Sequence, residues 1–313
     1  MDNKFKNSNS NKRYYTLDYF YKEKFKTKVF KICLDGGFTC PNIDGTKGYG
    51  GCIFCPNDGG AKYAGRKSDD IIIQFNKQKE KMHEKWKNGK YIGYFQAHSN
   101  TYASVERLKN LYEKIINLDN VIGLNIATRC DCINNDILEY LKDINKRCYL
   151  TVELGLQSTN EKTSKLINRC HSLKEFDDCV KLLRKNNINV VVHIINGLLN
   201  ETKTDMINTI KHINKLDIQG VKIHMLSVLK NTKLEQVYKN NKFKLLTKDE
   251  YIDIVIEQLE HLNENIVIHR ITGDPPKDDL IEPNWLLKKF VVLNDIDKEM
   301  KKRNTYQGVK AND

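Results

Sequence analysis

The amino-acid sequence predicts an α/β fold, a (β/α) barrel that is partial or nearly closed. Three observations predict it. Short apolar runs recur along the chain, and each is followed by a polar cluster and then by a stretch of helical periodicity. Strands separated by helical lengths must pair in parallel through right-handed crossovers, which curls the sheet toward closure. The polar clusters fall just past the C-terminal ends of the runs, the face on which such barrels carry their sites.

The elements follow in order. Residues 1–12 are polar and are expected to be a disordered tail. Arg13 to Lys28 interleaves Tyr14, Tyr15, Tyr19, Phe20, Tyr21 and Phe25 with four lysines, which reads either as a helical packing face or as a base-stacking platform. Lys31–Asp35 is a strand, and Gly36–Gly37 turns it into a glycine-rich loop over 39–60. Ser68 to Lys87 predicts a helix, capped at its start by Ser-Asp-Asp. Strands then follow at Tyr91–Gln96, Ile122–Ala127, Tyr149–Leu154, Val190–Ile195 and Val221–Leu226, with helices expected over Asn134–Asn145 and Lys203–Lys215. The barrel is assigned to 13–265, with a final loop and helix over 266–313; 313 residues suffice for one large domain with an appendage.

Composition limits the function classes. No run of 18 or more apolar residues occurs, and the N-terminus lacks the apolar centre of a signal peptide, so no membrane partner and a cytoplasmic location are expected. Nine cysteines, an odd count, cannot all be paired, and a reducing compartment leaves them for metal chemistry or for the core. The formal charge of +12, from 52 basic and 40 acidic residues, favours polyanionic partners, nucleic acid first among them. A general lysine and asparagine bias is the plainer source of the same charge.

The loop over 39–60 carries the chemistry. It places Cys40, Cys52 and Cys55 among glycines at 45, 48, 50 and 51, which let the backbone fold back and bring Cys40 beside the Cys52–Cys55 pair. Three thiolates on a four-iron, four-sulfur cluster leave one iron without a protein ligand, so that a small molecule can bind the metal. A zinc knuckle or a redox pair remains open from the spacing alone, with Cys33 or a distant histidine as a fourth ligand.

The segment "GGFTCPNIDGTKGYGGCIFCPNDGG" resembles the radical S-adenosylmethionine (SAM) enzymes, in particular the YhcC/YtqA type related to the catalytic subunit of Elongator. The eleven residues between Cys40 and Cys52 exceed the usual three of the superfamily, and that branch shares the departure. The resemblance runs from about Arg13 to the C-terminal helix. It implies a radical SAM barrel in which Cys40, Cys52 and Cys55 hold a [4Fe-4S] cluster. By position, Ser99 and Asn100 correspond to the segment that contacts the SAM amino group; the same residues would otherwise cap the helix that begins at Val105. The resemblance gives Glu153 and Gln157 the holding of SAM, with Gln157 on the adenosine side, and Arg169 the SAM carboxylate, a task suited to a planar bidentate donor. A buried Glu153 would in any case need a partner. His193 matches a polar ribose contact, and Gly197 matches close backbone approach to the adenine. Leu199 stands where the branch has proline. The ending "RITGDPP…EPNW", followed by an amphipathic helix over Leu286–Lys302, resembles the part of the branch that closes over the barrel.

What the resemblance implies is reductive cleavage of SAM to a 5′-deoxyadenosyl radical, with an external electron donor such as flavodoxin or ferredoxin. The substrate expected is tRNA, at the side chain of a 5-substituted wobble uridine. The other readings are an oxidase of a small molecule, like the oxygen-independent coproporphyrinogen oxidases, and a zinc-containing RNA-binding module without catalysis. No residue is assigned as a catalytic acid or base. Cys130 and Cys132 fall at the active face, and a role for them in chemistry stays open beside one in the core.

Overall fold

The computed structural model describes residues 3–60, 62–83 and 88–312. Helix α1 (Leu17–Phe25) leads into strand β1 (Val29–Leu34), and α2 (Ile71–His83) leads into β2 (Lys90–Phe95). Helix α3 (Val105–Ile116), β3 (Val121–Thr128), α4 (Asn135–Arg147) and β4 (Tyr149–Gln157) continue the alternation. Two helices, α5 (Glu161–Leu166) and α6 (Leu173–Lys185), precede β5 (Asn189–Asn196), and α7 (Lys203–Ile213) precedes β6 (Gly220–Met225). After β7 (Val228–Leu229) come α8 (Lys233–Asn240), α9 (Lys248–His261), β8 (Val267–Arg270), β9 (Leu280–Glu282) and α10 (Lys289–Lys302).

Seven strands pair in parallel in the order β1-β2-β3-β4-β5-β6-β8, and the sheet curls into a half-barrel. The period of two along each strand explains the layering. Ile32, Leu34, Leu124, Ile126, Val152, Leu154, Val190, Val192, Val221 and Ile223 are fully buried in the main hydrophobic core. Each such side chain contributes roughly 1.5–3 kcal/mol on burial. The alternate residues Lys31, Asn125, Glu153, His193 and Lys222 bond to one another inside the curl. Polar side chains cap the helix starts: Ser104 accepts from the Arg107 amide, and Ser172, Thr202 and Thr247 form reciprocal capping boxes.

Four expectations need correction. The segment before residue 13 is packed, not disordered: Phe5 is buried, Asn3 bonds the carbonyls of Ser10 and Lys12, and Lys12 pairs with Asp297. The barrel does not end at 265, because β8 is the seventh strand of the sheet and pairs with β6. Gln157 belongs to β4, which runs three residues beyond the expected strand end and bulges between Gly155 and Gln157. The last helix starts at Lys289, after a 3₁₀ turn over Asn284–Lys288. The end of the helix expected over 68–87 falls partly on 84–87, outside the described residues. The aromatic run before β1 is a packing face: Tyr14 and Tyr21 are buried, and Phe25 meets Tyr149 edge-on at 5.3 Å.

Residues just before α1 also line the open edge of the sheet. The Ile268 amide donates to the Tyr15 carbonyl at 2.7 Å, and Thr16 bridges Ile268 in parallel. Gln307, fully buried, accepts from the Tyr15 amide and donates to the carbonyls of Asn263 and Ile266.

Candidate active site

The cysteine loop hangs from the end of β1. Its first turn is set by the Ile43 amide donating to the Cys40 carbonyl, and a short antiparallel bridge between Asp44 and Tyr49 folds the insertion back on itself. The Cys55 amide donates to the Cys52 carbonyl at 3.0 Å, so the pair shares one turn. All three thiols line a single cavity of about 220 Å³ at the C-terminal ends of the strands. Much of the rest of its wall comes from β2 and the residues after it (Tyr94, Gln96, His98, Ser99), from the end of β3 (Thr128, Arg129), from β4 (Glu153, Gly155, Gln157) and from His193 of β5.

The electrostatics fit a metal cluster. Burial pushes the Cys52 thiol up to about 11, and burial together with the neighbouring Cys52 and Cys40 charges raises Cys55 further. Three thiolates in one buried wall therefore require cations among them, which iron would supply. Among the described residues, no three His, Cys, Asp or Glu side chains gather as ligands of a single ion. The buried Nδ1 of His98 has no partner among the described residues and belongs to a residue of the cavity wall, where an incoming ligand can satisfy it.

The residues expected to hold SAM divide into two groups. Ser99, Gln157 and His193 reach the cavity. Asn100 does not line it: the side chain is fully buried and donates to the carbonyls of Ala97 and Ala127, while Tyr112 donates to its backbone carbonyl. The residues after β2 are not a helix cap, since Ser104 caps α3. Gly197 has φ +79°, but the close approach it permits is to the chain's own Leu246, which a Cβ would meet at 3.0 Å.

Arg169 and Glu153 line the cavity with their polar atoms already engaged. Arg169 is 1% exposed. Its guanidinium donates to the carbonyls of Leu156, Ser158 and His171, and Glu161 lies 4.0 Å away. It thus stitches the end of β4 to the loop before α6. Glu153 accepts from Asn125 at 2.8 Å, His193 at 2.8 Å, Lys31 at 3.3 Å and Lys222. Burial opposes its ionisation, but the Lys222 and Lys31 charges and the His193 hydrogen bond hold its carboxyl well below the usual range. Burial also pushes the Lys222 ammonium down to about 7, against the pull of Glu153. The Lys222 ammonium donates to the Tyr94 hydroxyl at 2.9 Å and lies 4.3 Å from that ring's centre. Glu153 therefore counters the Lys31 and Lys222 charges, and each of its oxygens already accepts two hydrogen bonds, leaving no lone pair free for a cofactor.

Sequence reasoning passed over part of the wall. Arg129 forms a bidentate pair with Asp131, at 2.9 and 2.8 Å, and donates to the Arg169 carbonyl. His171 is kept neutral, its pKa lowered to about 4 by burial and by the Arg169 and Arg129 charges. The position of both just past strand or helix ends was the only signal. Cys130 and Cys132 sit buried in a 3₁₀ turn, outside the cavity lining.

A curled parallel sheet whose mouth carries three thiols, with a histidine nitrogen that has no partner among the described residues, is a half-barrel with a thiol-lined site at its strand ends. The chain belongs to the radical SAM superfamily: the model of that superfamily matches residues 46–213, and that of the radical SAM C-terminal domain matches 218–302. It is 48% identical to the protein YtqA of Bacillus subtilis, over 98% of this chain and 96% of that one. It is 29% identical to the protein YhcC of Escherichia coli, over 88% of each chain. A more distant relative, at 27% identity over 51% of this chain and 30% of its own, is a tRNA uridine(34) acetyltransferase of Methanocaldococcus infernus. Among solved structures, the archaeal Elp3 of M. infernus shares the fold, with a TM-score of 0.68 at 17% identity. That match covers 89% of this chain and 64% of the Elp3 chain. No helix among the described residues is long and apolar enough to cross a membrane.

Proposed function

We propose that this protein is a tRNA-modifying radical SAM enzyme that remodels the side chain of a 5-substituted wobble uridine in the cytoplasm. The observation that carries the chemistry is the cavity at the strand ends in which Cys40, Cys52 and Cys55 share one wall. When bound, the [4Fe-4S] cluster and SAM supply a 5′-deoxyadenosyl radical, with the electron coming from an external donor such as flavodoxin or ferredoxin. The chain's own residues do the rest. Cys40, Cys52 and Cys55 hold the cluster; Gln157, Ser99 and His98 offer polar contacts to the cofactor; Arg129 and Arg169 brace the wall behind it. The apolar core around the strands keeps bulk water from the interior.

The tRNA substrate is supported by the formal charge of +12 and by a relative named for uridine 34 of tRNA. A stacked base cannot enter a cavity of this kind, so the target nucleotide must turn out of the anticodon loop. The experiment is an anoxic assay of the protein reconstituted with iron and sulfide, given reductant, SAM and tRNA. The expected result is 5′-deoxyadenosine together with a mass change in one wobble-position nucleoside. Binding to tRNA should weaken with salt by a log-log slope of roughly 0.7 per single-strand phosphate neutralised. No altered nucleoside, with binding flat from low to physiological salt, overturns the tRNA reading and leaves the radical chemistry standing.

A further inference from the structure

The widened insertion between Cys40 and Cys52 builds a small rigid hairpin on the rim of the cavity. Backbone bonds hold it at every turn: the amides of Lys47 and Gly48 donate to the Pro41 carbonyl, Gly45 donates to Gly48, and Gly51 donates to Asn42. Side chains fasten it from outside. The Asn168 amide donates to the carbonyls of Tyr49 and Gly51, the Lys233 ammonium donates to the Tyr49 carbonyl at 3.2 Å, and Thr46 and Tyr102 share a 2.8 Å hydrogen bond. At its base, Ile43 and Gly51 line the same cavity as the three thiols.

This framework presents one ring. Tyr49 is 78% exposed, far more than any tyrosine of the core. Part of the ring packs over Gly45, which has φ +92° and where a Cβ would come within 2.6 Å of it, so only glycine allows the ring to lie there. An isolated exposed aromatic needs no explanation. A ring carried on a braced hairpin at the lip of a reaction cavity is different, because the backbone that presents it is ordered before any partner arrives. Two cations belong to the same framework: Lys233, whose ammonium bonds the Tyr49 carbonyl, and Lys47, two residues before the ring, which pairs with Glu175 at 3.8 Å.

We propose that this hairpin is an RNA-docking element, with Tyr49 as a stacking platform for a base next to the one that enters the cavity and with Lys47 and Lys233 facing the adjoining phosphates. The proposal rests on the tRNA reading above. Aromatic rings stack on any base without regard to sequence, and lysines neutralise phosphates as point charges. The insertion then serves two ends at once: its ends carry metal ligands, and its tip orients the polyanion relative to them.

The test compares wild-type protein with Tyr49→Ala, Tyr49→Phe and Lys47→Ala, each reconstituted under anoxic conditions, in binding to an anticodon stem-loop RNA. Loss of one stacking partner should weaken binding by roughly 5- to 100-fold in Tyr49→Ala, while Tyr49→Phe stays within about 3-fold of wild type because the π-face is kept. Lys47→Ala should reduce the log-log salt slope by about 0.7. If the wild type binds the RNA and Tyr49→Ala binds it equally well, or Tyr49→Phe falls as far as Tyr49→Ala, the docking proposal is overturned and the tRNA reading survives. If the wild type does not bind the RNA at all, both fall.

Discussion

Replacing Glu153 by Gln keeps the shape of the side chain and removes the single negative charge that faces Lys31 and Lys222. The side chain is fully buried, and its four donors arrive in two pairs, Lys31 with Asn125 on one oxygen and His193 with Lys222 on the other. A glutamine offers one acceptor, so one pair of donors must confront an NH₂ group. Breaking a buried ion pair from one side typically destabilises by about 3–5 kcal/mol. At about 2 °C per kcal/mol for a chain of this size, the thermal midpoint of the variant should fall by roughly 6–10 °C at pH 6 to 7. The pH dependence gives a second check. Burial lowers the folded pKa of Lys222 from its ordinary 10.5 to about 7, so between those values the unfolded state binds more protons and stability rises with pH. Without Glu153 the ammonium loses its proton more readily, so the folded pKa of the variant drops below 7, and the destabilisation should grow as pH falls from about 7 to 5 and level off from 7 to 10. Circular dichroism melts of the two proteins across that range measure both effects. A variant as stable as wild type that nonetheless fails to bind SAM would refute the reasoning, and would return Glu153 to the cofactor.

Three further outcomes are expected. Cys52→Ala should lose the brown chromophore and most of the iron, whereas Cys148→Ala and Cys179→Ala should keep both; metal analysis of anoxically prepared protein decides, and full iron in Cys52→Ala would contradict the ligand assignment. Arg169→Ala strands the carbonyls of Leu156, Ser158 and His171, so it should destabilise the fold by about 2–4 kcal/mol as well as weakening SAM binding; weaker binding with an unchanged denaturation midpoint would mean that the guanidinium serves the ligand alone. Burial raises the Glu201 carboxyl to about 7 against a hydrogen bond from Ser158, so its folded form holds a proton that the unfolded chain has lost, and its contribution to stability falls as pH rises from about 4.5 to 7. Partial exposure trims that contribution to about 1–2 kcal/mol, which Glu201→Gln should restore at pH 8; a variant no more stable than wild type at that pH would count against it.

Much of the fold was legible because parallel strands buried on both faces carry runs such as Val190-Val-Val and Ile122-Gly-Leu, which a sequence announces locally. Strand β8 escaped because Val267–Arg270 is four residues long and half polar, and its place in the sheet comes only from pairing with β6, far back in the chain. The cluster ligands were legible for a similar local reason, since Cys40, Cys52 and Cys55 lie in one loop. Contacts made at long range were not. Nothing near Glu153 in sequence marks Lys31 or Lys222 as its partners, and nothing marks Arg169 as bound to backbone carbonyls, because a carbonyl acceptor leaves no trace in the side chains. The packed segment before residue 13 was misread for the opposite reason: its polar composition resembles a tail, yet one aromatic, Phe5, suffices to anchor it.

The seam between β1 and β8 bears on how the protein is made. Its bonds come from both extremes of the sequence: Tyr15 reaches Ile268, and Gln307 reaches Tyr15, Asn263 and Ile266, while the Gln307 amide donates to the Arg13 carbonyl. A ribosome must therefore have released the chain through Gln307 before that edge can be covered. Until then β8 is absent or bare along one side, and the nascent sheet presents an unpaired strand of the kind that recruits other chains. The segment around Tyr15 therefore waits, without its partners, until the chain has been made through Ile268 and on to Gln307.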